Sequence, residues 1–123
     1  MTVPILKQGD VLIASVQAVL TDEELLELEM NISDMVGRHH SRAVIIDVGV
    51  LDVLDSFGTR TLRSIAHVAK FRGAEAIVVG IQPDVAFAMV RMGLGLDGVR
   101  TALDLDDALD HIDGLESHGY PRH

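Results

Sequence analysis

The chain has 123 residues, 48% of them hydrophobic, and a formal net charge of −9 from 19 acidic and 10 basic side chains. That length fits one domain with a core of its own, and the lack of cysteine excludes disulfides, thiolate metal sites and thiol nucleophiles. The acidic balance repels phosphate backbones, so nucleic acid is not an expected ligand, and no apolar run nears the ~20 residues that cross a bilayer.

Met1–Asp10 carries no signal-peptide pattern, so a cytoplasmic location is expected. Val3–Leu6 reads as a short strand that pairs, through a turn at Gly9-Asp10, with a second strand over Val11–Val16. Thr21 with Glu24 three residues later matches a capping box, and Leu25, Leu28, Ile32 and Met35 follow at helical spacing. Glu23, Glu24 and Glu27 load the front of this helix while Arg38, His39 and His40 load its end, both favourable to the dipole. Ala43–Asp47 is β-branched and apolar until its final acid, the pattern of a buried strand. The loop Val48–Asp55 leads to a second helix opening at Ser56, with an apolar stripe of Leu62, Ile65, Ala66 and Ala69 and a stop at Gly73. Ala76–Gly80 is a further buried strand. Gln82-Pro83-Asp84 opens a helix through Met92, with Pro83 suited to its first turn. Gly93, Gly95 and Gly98 break the chain before a short strand, Val99–Ala102. A final acidic helix over Asp104–Asp113 is held by Leu105, Ala108, Leu109 and Ile112. The order predicts an α/β fold: a mixed, mostly parallel sheet with an N-terminal hairpin, flanked by about four helices. Residues 1–115 are expected to form the single domain, and 116–123 a flexible tail.

Asp55-Ser56-Phe57-Gly58-Thr59 is the most informative stretch. Ser56 is read as the N-cap of the second helix, where a hydroxyl oxygen accepts an orphan backbone N–H. The same place suits a phosphate, because unpaired amides and the positive helix end converge there. Ser56 therefore fits either a structural cap or a modification switch. Gly58 is expected to leave the first turn bare on one side, and Asp52 and Asp55 would oppose an added phosphate of about −1.5 to −2 charges. Asp47, Asp52 and Asp55 also suggest a cation site of a small Mg²⁺-dependent phosphohydrolase or nucleotide-binding domain. Against that, Lys7 and Lys70 are the only lysines, and neither suits a phospho-accepting aspartate site. The six histidines show no metal-ligand spacing, and no G-x-S-x-G elbow accompanies Ser56. Gly93–Gly98 matches neither a Walker A motif nor a dinucleotide fingerprint.

Val44-Ile45-Ile46-Asp47, Leu54-Asp55-Ser56-Phe57-Gly58, Gly80-Ile81-Gln82-Pro83 and Thr101-Ala102-Leu103-Asp104-Leu105 together resemble the STAS domain, the family of bacterial anti-sigma factor antagonists. Nearly the whole chain is covered, and within the family it resembles the single-domain, RsbS-like scaffolds of the stressosome. The resemblance implies a protein that is not an enzyme and needs no cofactor or metal. It would be the substrate of an RsbT-like serine kinase and of a matching phosphatase, would sequester that kinase together with RsbR-like STAS paralogs, and would release it on phosphorylation. A homodimer within a large complex is expected. By motif, Ser56 is the phosphoacceptor. RsbR-like paralogs carry a second phosphorylatable threonine at the start of the first helix. Asp22 stands there in this chain, with Thr21 one residue before it, so that second site is expected to be missing. Asp22, Asp52, Asp55, Phe57, Thr59, Arg60 and Arg63 are expected to meet a partner, with Leu51 and Val53 sharing in an apolar docking surface. A simple anti-sigma factor antagonist in a two-protein partner switch is the alternative.

Overall fold

The computed structural model describes residues 3–119, with side chains through 114. Strands β1 (Ile5–Gln8) and β2 (Val11–Ser15) form an antiparallel hairpin, turned at Gly9, whose φ of 62° lies where glycine costs least. Val3, expected in the first strand, lies before it and is buried in the core. Helix α1 (Asp22–His39) then carries the chain to β3 (Ala43–Asp47), α2 (Ser56–Phe71) to β4 (Glu75–Val79), and α3 (Pro83–Arg91) to β5 (Arg100–Ala102). Helix α4 (Leu105–Gly119) ends the described chain, so the start of the stretch expected as a tail is helical.

The five strands lie in chain order, and every pairing after the hairpin is parallel. Side chains alternate between the two faces of the sheet. Leu12, Ala14, Val44, Ile46, Ala76 and Val78 point into the larger core, which Leu28, Ile32 and Val36 of α1 and Leu62, Ile65 and Ala69 of α2 cover. Val11, Ile13, Ala43, Ile45, Ile77 and Val79 point the other way, against Ala108 and Ile112 of α4. Both faces are covered, which is why β3 and β4 read as continuous apolar runs rather than alternating ones. The parallel crossovers also bring the starts of α1, α2 and α3 to one end of the sheet, beyond the strands' carboxyl ends.

Candidate functional site

β3 ends on Asp47, and the loop that follows is tied down at several points. Asp47 Oδ1 accepts the Gly49 N–H at 2.9 Å, and the Leu51 N–H bonds back to Val48 O at 3.0 Å. The Gln82 side-chain amide, from the start of α3, donates to Gly49 O at 2.9 Å. Gly80 permits this close approach. Its φ is 82°, and a Cβ there would stand 3.1 Å from Gly49 Cα and 3.3 Å from Asp47 Oδ1. The loop thus reaches α2 braced against the neighbouring crossover.

Asp55, not Ser56, is the N-cap of α2. It has extended backbone angles, and its Oδ1 accepts the Gly58 N–H at 2.8 Å. This corrects the expectation that Ser56 caps the helix. A carboxylate at the cap adds a favourable charge at the positive helix end to the hydrogen bond that a hydroxyl would make. Ser56 becomes the first helical residue. It is exposed, and its hydroxyl makes no hydrogen bond among the described residues. The Ser56 and Phe57 amides belong to the first-turn donors that a helix cannot satisfy internally, and no acceptor meets them among the described residues.

The other expected partner residues divide. Asp22, in the first turn of α1, and Asp52, Asp55 and Arg60 are exposed. Arg60 holds its guanidinium 6.0 Å from the ring centroid of half-buried Phe57, at the outer reach of a cation–π contact. Thr59 is 1% exposed, and its N–H and Oγ1 both donate to Asp55 O, at 2.9 and 2.8 Å. It packs the inner side of the first turn and offers a partner nothing. Arg63 is half-buried and donates from Nη1 to Gly95 O at 2.8 Å, so its charge ties α2 to the Gly93–Gly98 loop. Gly58 is not bare either: it is buried, and a Cβ there would lie 3.2 Å from both Asp55 Oδ1 and Leu54 Cδ1. Leu51 is core, whereas Val53 is half exposed.

Sequence reasoning missed an apolar crevice of about 50 Å³ beside Asp55 and Gly58, walled by Val16, Val19, Leu20, Leu25, Leu51, Val53 and Leu54. Its signal was present. Leu20 and Leu25 flank the Thr21 cap at the two positions of a hydrophobic staple. The acidic trio is not gathered into one cluster among the described residues. Asp47 and Asp55 each commit an oxygen to a backbone N–H, and no cluster of three potential metal ligands occurs among the described residues. No helix among the described residues is long and apolar enough to cross a membrane.

The family model of the STAS domain matches residues 2–108. Among solved structures, the chain is similar to a serine-to-glutamate variant of RsbS from Moorella thermoacetica, with 31% identity and a TM-score of 0.80 over 94% of this chain and 97% of that one. It is also similar to a chain in a structure of the molecular architecture of the stressosome, a signal integration and transduction hub. There the identity is 30% and the TM-score 0.74, over 92% of this chain and 98% of that one. The RsbT co-antagonist protein RsbRA of Bacillus subtilis is 26% identical over 87 residues, covering 63% of this chain but 32% of that protein. This chain thus matches about a third of the length of that curated relative.

Proposed function

The chain belongs to the STAS domain family, and on that premise we propose that it is a phosphorylatable scaffold of a stressosome-like signalling complex, with Ser56 as its phosphoacceptor. The unmodified chain, assembled with RsbR-like paralogs, holds an RsbT-like serine kinase. Phosphorylation releases the kinase to act downstream, and a phosphatase resets the switch. The kinase brings ATP, Mg²⁺ and a base that takes the hydroxyl proton. Ser56 Oγ attacks the γ-phosphorus, the bond to the β-γ bridging oxygen breaks, and ADP departs. This chain contributes an oxygen on a rigid support, which orients the attack and reduces its entropic cost.

One observation carries this reading: the Ser56 hydroxyl is exposed and makes no hydrogen bond among the described residues, because Asp55 does the capping. After transfer, the phosphate would bring about −1.5 to −2 charges to a helix end with open Ser56 and Phe57 amides, against the repulsion of Asp52 and Asp55. The modification enlarges the Ser56 side chain and makes the local field more negative without any refolding, so a partner seated on the bare hydroxyl meets a different surface. The crevice walled by Val19, Val53 and Leu54 supplies apolar area beside the hydroxyl, and Asp22 and Asp52 supply an acidic rim that favours a basic docking face.

The test is incubation with the cognate kinase, ATP and Mg²⁺, followed by mapping of the modified residue by mass spectrometry. Stoichiometric phosphate on Ser56, and none on the Ser56→Ala chain, is expected. Phosphate on another residue, or none with an active kinase, would overturn the assignment.

A further inference from the structure

The opposite end of the sheet contains a cavity of about 420 Å³, whose origin is a register offset. β5 begins opposite Ile77, so Glu75 and Ala76 at the start of β4 have no strand beside them on that edge. Gly98 and Arg100 bound the gap on one side, and Ala66, Lys70 and Gly73 at the end of α2 bound it on the other. The uncharged lining consists of alanine and glycine, so no large side chain fills the space.

The charged lining is Arg42, Lys70, Arg100 and Glu75, and a second carboxylate, Asp10, stands against Arg42 beside it. Three cations around one cavity run counter to a chain of net charge −9. Two are ion-paired: Arg42 Nε lies 2.8 Å from Asp10 Oδ2, and Arg100 Nε lies 3.3 Å from Glu75 Oε2. Glu75 is shared, with His111 Nε2 3.2 Å from its other oxygen. Lys70 is exposed and makes no ion pair among the described residues. The end of α2 would oppose an anion if its carbonyls were open. Three of them are not: the Arg72, Gly73 and Ala74 N–H groups donate to Val68 O, Ala69 O and Lys70 O.

We propose that this cavity binds a small multivalent oxyanion of the pyrophosphate type, either free or as the oligophosphate part of a larger molecule. Two guanidinium groups and one exposed ammonium suit several phosphate oxygens at once, and the volume falls in the range of small-molecule sites. The site is independent of Ser56, which lies beyond the other end of the strands.

The experiment is a titration of the ¹⁵N-labelled chain with pyrophosphate at constant ionic strength, read by backbone amide shifts. Saturable shifts are expected at Gly73, Ala74, Ala76 and Gly98. Lys70→Met and Arg100→Gln should each weaken binding by about fivefold, the upper range for a partly exposed charge pair. Arg91→Gln, on α3, should leave it unchanged. Lys70 makes no ion pair or side-chain hydrogen bond among the described residues, so Lys70→Met keeps the test decisive even if Arg100→Gln fails to fold. A parallel titration with ADP separates the sources: tighter binding than pyrophosphate assigns the anion to a larger molecule, and equal or weaker binding assigns it to the free ion. Shifts confined to Ser56–Gly58, no saturable shifts, or undiminished affinity in Lys70→Met would overturn the proposal.

Discussion

α1 and α2 pack side by side on one face of the sheet and start at the same end of it, yet their first turns close differently. α1 has a reciprocal box: Thr21 Oγ1 accepts the Glu24 N–H at 3.1 Å, and Glu24 Oε1 accepts the Thr21 N–H at 2.9 Å. α2 has half a box. Asp55 caps Gly58, and a glycine has no side chain to reach back. In α1 the hydroxyl sits at the cap and is bound; in α2 it sits one residue later and is not. The other hydroxyls of α2 are all committed. Thr59 and Thr61 donate to the carbonyls four residues before them, and Ser64 donates to Glu29 across the groove to α1. A displacement of one residue therefore separates a cap from an available nucleophile.

The comparison can be broken hardest at Gly80, because the start of α2 depends on a neighbouring crossover and the start of α1 does not. Gly80→Ala must adopt a positive φ and push a Cβ to 3.1 Å from Gly49 Cα. The expected loss is roughly 2–4 kcal/mol, the left-handed penalty plus overpacking, read as a fall in urea midpoint. Gly73→Ala, also at positive φ but with nothing within 4 Å of the added Cβ, should lose only the left-handed penalty of about 1–2 kcal/mol. Hydrogen exchange should quicken in 48–58 of the Gly80→Ala chain and stay unchanged in 21–25. Equal costs at the two glycines would mean that the Gly49 approach is not close in solution.

The caps themselves come next. Asp55→Ala and Thr21→Ala should each cost about 1 kcal/mol in urea unfolding, with Asp55→Asn restoring most of the first loss because an amide oxygen also caps. Asp55→Ala should in addition slow phosphorylation of Ser56 by the kinase, since the first turn frays. Thr21→Ala should leave that rate unchanged. A Thr21→Ala chain as stable as its parent would show that the α1 box does not form in solution.

The contrast between the two helix starts was half legible in the sequence. Thr21 with Glu24 three residues on is a pattern with few competing readings, and the structure has that box. Asp55-Ser56 is two good caps in a row, and composition cannot rank them; only the backbone placing Gly58 N over Asp55 Oδ1 decides. Thr59 could have been placed inside from periodicity, since it leads the Leu62, Ala66 and Ala69 stripe at helical spacing. Its hydroxyl drew the reading outward. Arg63 could not: its acceptor, Gly95 O, lies 32 residues away in a loop with no periodic signal. β3 and β4 were plain because burial on both faces leaves an unbroken apolar run, while the cavity beside β4 depends on where β5 begins, a register that three residues of strand do not announce.

The smallest expected effect is the most discriminating. Ser56→Ala removes an exposed side chain that bonds to nothing among the described residues, at a position where alanine is a good helix former. Its cost in urea unfolding should stay within about 0.5 kcal/mol, the range of a neutral surface change, while phosphate uptake disappears altogether. Were Ser56 the cap, the same substitution would cost about 1 kcal/mol and Asp55→Ala would cost little. The pair of unfolding curves therefore reports which residue starts the helix without any kinase present. A costly Ser56→Ala would mean that the hydroxyl must first leave the backbone amide it holds before it can attack a phosphorus, and the ready nucleophile on which the switch depends would be absent from the resting chain.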